Sequence, residues 1–100
     1  MYFIYILYSE SSDKYYVGYS DDPIRRETEH NTKPFNTFTS KHRPWKLVAS
    51  FPAGESRSEA IRIERYIKKQ KSRTFILKLI ASQHDSEQIE RLVRVPTGRD

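Results

Sequence analysis

Tyr2-Phe3-Ile4-Tyr5-Ile6-Leu7-Tyr8 is an unbroken run of aromatic and aliphatic residues, bounded by the turn-rich Ser9-Glu10-Ser11-Ser12-Asp13. Lys14 to Tyr19 then resumes the same character. Side chains of this kind favour strands, and two such runs around a short polar stretch predict a β-hairpin with a loop of about five residues. Gly18 and Asp21-Asp22-Pro23 punctuate the second arm. Asp22 is placed as an N-cap and Pro23 as a first helical residue, so a helix is expected from Pro23 to His30 or Asn31.

Residues 32–45 show no sustained period and are expected to form a long loop, a kind that is often functional in a compact domain. Trp45 to Phe51 reads as a third strand, ended by Pro52-Ala53-Gly54. Ser56 or Ser58 opens the longest helical pattern, which runs to about Lys71. Another helix is expected from Arg73 or Thr74 to Ser82. The pattern fades after Gln83, where a short docked helix and a frayed terminus are expected. Hairpin, helix, strand and helix pair together predict an α+β fold, a three-stranded antiparallel sheet flanked by helices. The domain is expected over residues 1–82, with 83–100 as a tail that is partly helical or disordered.

At 100 residues the chain fits one domain. It contains no cysteine, which excludes disulfides, thiolate zinc sites and cysteine nucleophiles. No stretch approaches the roughly 20 apolar residues of a membrane span, and the N-terminus has neither a basic leader nor a cleavage site. A soluble, cytoplasmic protein with no membrane partner is the expectation.

Charge changes the picture more. The net charge is +5, but residues 1–31 carry three basic and six acidic side chains, whereas residues 56–80 carry eight basic and two acidic. A basic stripe of this kind suits a polyanion such as nucleic acid. A solvated helix face has the same composition.

Three sets of residues are candidates for chemistry. Tyr5 and Tyr16 stand on the two arms of the hairpin, where paired strands can turn both phenols to one face to orient water, touch phosphate or accept a proton. Arg26 and His30, at i and i+4, project from one side of the first helix. An arginine there can stabilise charge on a phosphate, and a histidine near a helix end can also simply complement the dipole. Glu64 falls between Ala60 and Ile61 inside the apolar arc of the longest expected helix, at roughly 100° per residue. A carboxylate aimed that way needs a metal or an ion pair, here with Arg57 or Lys68. Arg62, Arg65 and Lys69 lie on the opposite side of the same helix.

The ordered set Ile4-Tyr5, Tyr16-Val17-Gly18, Arg26, His30 and Glu64 resembles the GIY-YIG nuclease superfamily. The strings Arg26-Glu27-Thr28-Glu29-His30-Asn31, Phe38-Thr39-Ser40-Lys41 and Ala60 to Lys69 resemble its small stand-alone bacterial branch, related to the catalytic domain of the excision-repair nuclease. Phe3 stands where the family name has glycine, and Tyr19 where the repair nuclease domain has a lysine.

The resemblance, over about residues 2–80, implies a metal-dependent endonuclease that hydrolyses DNA, or RNA, in repair or recombination. Glu64 would be the metal ligand for Mg²⁺ or Mn²⁺, bound through one carboxylate and water. Tyr5, Tyr16, Arg26, His30 and Glu64 would be catalytic, and Lys41, Arg62, Arg65, Lys68, Lys69 and Lys71 would bind nucleic acid. Such nucleases usually take specificity from a partner domain or protein. The alternatives are a nucleic-acid-binding module that cuts little, with aromatic stacking from residues 36–45, and an interaction protein whose Glu64 is merely ion-paired.

Overall fold

The two arms of the hairpin form β1 (Tyr2–Ser9) and β2 (Lys14–Ser20), antiparallel from Phe3 opposite Ser20 to Ser9 opposite Lys14. Asp13 closes the turn with a left-handed backbone (φ 51°), and its carboxylate accepts a hydrogen bond from the Tyr8 hydroxyl at 2.8 Å. This computed structural model describes residues 1–34 and 38–94. Part of the expected stacking loop, Asn36 included, and the expected frayed end over residues 95–100 lie outside the described residues.

The third strand, β3 (Trp45–Gly54), pairs antiparallel with β1, so the order is β2-β1-β3 and β1 is central. It runs past the expected stop at Phe51. Pro52 is accommodated because β3 is an edge strand, where a missing N–H leaves no second partner unsatisfied. The central position of β1 also explains its unbroken apolar run. Ile4, Tyr5, Ile6 and Leu7 are all buried because helices cover both faces of the sheet.

On one face Ile4, Ile6, Val17, Ala49 and Phe51 pack with Ala60 and Ile67 of α3 (Arg57–Gln70), Leu79 of α4 (Arg73–Ala81) and Ile89 of α5 (Ser86–Leu92). On the other, Tyr5, Leu7 and Trp45 form a smaller cluster with Tyr16 and Leu47. That face is covered by α1 (Pro23–Thr32) and α2 (Phe38–Lys41). The fold is therefore the expected α+β arrangement, a three-stranded antiparallel sheet with flanking helices.

Helix starts follow local chemistry. Asp22, Ser56, Ser72 and Asp85 each accept a hydrogen bond from the backbone N–H three residues on. One expectation differs from what is observed. The region expected as a continuous loop contains α2, a single turn with no sequence period to announce it, anchored where the Trp45 indole donates to the Thr39 carbonyl at 2.7 Å. Beyond residue 83, the expected short docked helix is α5, which buries Ile89, and Val93 after it is buried too. Among the described residues no helix is long and apolar enough to cross a membrane.

Candidate active site

α1 lies on one face of the sheet and α3 on the other, and both overhang β2, whose outer edge has no strand partner among the described residues. Between them is a polar cleft of about 430 Å³, lined by Tyr5, Tyr16 and Gly18 from the hairpin, Arg26 and Glu29 from α1, and Arg57 and Glu64 from α3. Four of the five residues singled out as catalytic thus line one cavity. His30 lines the adjoining cavity, which shares Tyr16, Arg26 and Glu29 with the cleft.

Tyr5 belongs to the central strand and reaches the cleft only by crossing β2. Gly18 is its direct partner across the strands. A Cβ at position 18 would sit 2.5 Å from both Cζ and Oη of Tyr5, so the tyrosine ring occupies the space that any other side chain would take. A glycine inside a strand is the sequence sign of such a close approach. Position 18 was part of the recognised motif, but this role was not legible without the ring above it.

The Tyr5 hydroxyl meets His30 Nε2 at 2.9 Å, away from solvent. Burial pushes the Tyr5 phenol up to about 12, against the opposing pull of Arg26. Burial also brings His30 down to about 4, helped by the nearby positive charges of Arg26 and Arg43. A neutral imidazole therefore faces a protonated phenol at neutral pH. Nε2 either accepts the phenol proton or donates its own, depending on tautomer. The His30 carbonyl is held as well, accepting from Arg43 Nε at 2.6 Å. His30 is thus a buried partner of Tyr5 and not an exposed donor at the mouth of the cleft.

Arg26 is one-third exposed and donates from Nη1 to Glu29 Oε1 at 2.5 Å. Burial works against its charge, but the Glu29 carboxylate and Tyr5 outweigh it and raise its pKa. The same bond to Arg26 lowers the pKa of Glu29. Glu29 was missed by the sequence reading, although its i, i+3 spacing from Arg26 is the signal for such a pair.

Glu64 is 16% exposed, and Lys68 Nζ stands 3.4 Å from its Oε1. The same ammonium lies 5.5 Å from the centre of the Tyr16 ring. The ion pair considered for Glu64 is therefore present with Lys68. Arg57 instead donates to the Tyr19 hydroxyl at 3.0 Å.

The wider basic set divides. Lys68 pairs with Glu64 of the cleft, and it lines a neighbouring recess together with Lys71. Arg62, Arg65 and Lys69 are exposed and do not line the cleft, because they stand on the side of α3 away from Glu64. Lys41 is exposed on α2 and does not line it either. The structure does not bring those four together with the candidate site.

Donor chemistry decides which metal this cleft suits. Among the described residues no group of three or more histidine and carboxylate side chains forms a protein cage for a metal. Of the carboxylates that line the cleft, Glu29 is held by Arg26 and Asp21 by Arg25, and the largely sheltered Glu64 in an open polar cleft suits instead a hard cation that keeps most of its water, as Mg²⁺ does. Glu64 fits that requirement, and Lys68 is the charge such an ion would displace.

Known proteins resemble the chain along most of its length. The UPF0213 protein lmo0166 of Listeria monocytogenes is 38% identical over 85 residues, covering 85% of this chain and 92% of its own. The structure-specific endonuclease subunit SLX1 of Meyerozyma guilliermondii is 37% identical over 76 residues, which are 71% of this chain but only 26% of that protein. The solution structure of the UPF0213 protein BH0048 from Bacillus halodurans is 30% identical, covers 92% of this chain and 97% of that one, and superposes with a TM-score of 0.49. A family model, the GIY-YIG catalytic domain, matches residues 1–78. With the two tyrosines, the arginine and the glutamate of that motif gathered around one cleft, the chain belongs to the GIY-YIG family of nuclease domains.

Proposed function

We propose that this protein is a divalent-metal-dependent endonuclease that hydrolyses a DNA phosphodiester in the cleft beside β2. The observation that carries the reading is the convergence of Glu64, Arg26 and Tyr16 on one polar cavity, from three elements distant in sequence. Membership of a nuclease family and the likeness to a structure-specific endonuclease subunit support it.

Glu64 would hold Mg²⁺ or Mn²⁺ at the wall of the cleft. When bound, such an ion supplies positive charge to the phosphate oxygens and lowers the pKa of water. Arg26, kept charged and fixed in direction by Glu29, presents its remaining N–H groups to a phosphate and stabilises charge as the bond breaks. A phenol takes the proton of the attacking water. Tyr16 is the more exposed of the two, whereas burial keeps Tyr5 protonated in the substrate-free protein. Tyr5 and His30 then act as a rigid pair that orients the floor of the cleft. Repair or recombination is the setting such an activity suits, with a partner protein adding specificity.

The test is nicking of supercoiled plasmid with Mg²⁺, compared with DNA binding measured in EDTA, for wild type and Glu64→Ala. The variant is expected to lose nicking by 100-fold or more, on the order of the loss seen when a single charge-stabilising group is removed, while keeping its binding. Wild type that binds but never nicks with Mg²⁺ or Mn²⁺ would reduce the protein to a binding module.

A further inference from the structure

A second recess, of about 340 Å³, lies where the tip of the hairpin meets the turn between α3 and α4. Lys14, Lys68, Lys71 and Arg73 line it, and Asp13 is its one carboxylate. That carboxylate is already engaged, because it accepts from the Tyr8 hydroxyl at 2.8 Å and from Arg73 Nη1 at 3.0 Å. Arg73 also donates to the Asp13 carbonyl at 2.6 Å and lies 5.1 Å from the centre of the Tyr15 ring. It therefore ties the hairpin tip to α4 and fixes the wall. Lys14 and Lys71 are exposed, and neither has an ion-pair partner among the described residues. Two uncommitted cations thus face a recess with no free negative charge.

Lys68 joins this recess to the candidate active site, since its ammonium stands against Glu64 and the Tyr16 ring while its side chain lines the recess. The two cavities are therefore neighbours along β2, linked by one positive charge. We propose that the recess is a second phosphate-backbone site, over which the nucleic acid strand leaves the cleft, passing Lys68 to reach Lys14 and Lys71. This rests on the reading of the cleft as a nucleic-acid site. It also explains a division within the basic residues of α3. Arg62, Arg65 and Lys69 carry as much charge but stand away from the cleft, so a strand bound at Glu64 would not meet them.

The test is the salt dependence of binding to a fluorescent DNA duplex, measured in EDTA so that no cutting intervenes. Wild type is compared with Lys14→Gln/Lys71→Gln and with Arg62→Gln/Lys69→Gln, which removes the same charge from the far side of α3. Each lost phosphate contact lowers the slope of log affinity against log salt by about 0.9 for duplex DNA. The recess pair is expected to flatten the slope by about 1.8, and the far-side pair to leave it unchanged. Equal effects of the two pairs, no effect of the recess pair, or no binding by wild type would each overturn the proposal. If wild type binds with the expected slopes but never nicks plasmid, the recess stands and catalysis falls. If wild type nicks while the recess pair keeps the full slope, catalysis stands and the recess falls.

Discussion

The Tyr5–His30 contact makes the folded protein sensitive to acid. An unfolded histidine titrates near its ordinary value of 6.5, whereas burial and two neighbouring guanidinium groups hold folded His30 near 4. Between these values the unfolded chain binds a proton that the folded chain refuses. The stability linked to His30 is therefore fully present above pH 6.5 and is lost as pH falls towards 4, by on the order of 3 kcal/mol. Urea unfolding of wild type and His30→Gln across pH 4–7.5 checks this, since the variant is expected to show a shallower acid loss. Parallel profiles would assign the loss to other groups. At Gly18, the Tyr5 ring predicts that Gly18→Ala costs about 1–3 kcal/mol through overpacking. The same variant should also impair nicking, because the displaced phenol lines the cleft; denaturant unfolding and the plasmid assay read the two effects. Both residues stood in the sequence motif, but their roles depend on a ring reaching across a neighbouring strand, which periodicity does not encode.

Among the elements, α1 is the one that joins the site to the scaffold. Two side chains one turn apart on it serve the outer edge of β3, which has no further strand among the described residues. The Asn31 amide accepts from the Trp45 N–H at 2.6 Å and donates to the Trp45 carbonyl at 2.9 Å, and Glu27 accepts from the Leu47 N–H at 2.7 Å. These bonds cover an open sheet edge and set the position of α1, from which Arg26 and His30 reach the cleft. Asn31→Ala removes both bonds to Trp45 and is expected to cost about 1–3 kcal/mol. Faster amide hydrogen exchange at Trp45, together with a lower urea midpoint, is the measurement; unchanged exchange would show that the edge needs no such cover. Helix starts were legible because Asp22, Ser56 and Ser72 act on backbone only three residues away. The short α2 and the course of β3 through Pro52 were not, because each depends on a partner elsewhere in the chain.

Over the whole molecule, placement decides what the positive charge can do. The basic residues between 56 and 80 form one stripe in sequence, but the fold divides it into cations beside β2 and cations on the far side of α3. A cleft at the edge of the sheet, reached by helices from both faces, has the polar open character that a charged substrate requires. By itself the sequence determined the hairpin, the main helices, the α+β class and the ordered tyrosine, arginine and glutamate motif. Those features rest on side-chain periodicity, local capping and residue order, which short stretches of chain carry. Only the tertiary structure decided that His30 is a buried partner of Tyr5, that the Tyr5 ring reaches the cleft over Gly18, and which lysines stand near the cleft. Those relations arise where β2, α1 and α3 meet, and they follow from packing between segments that no local pattern links.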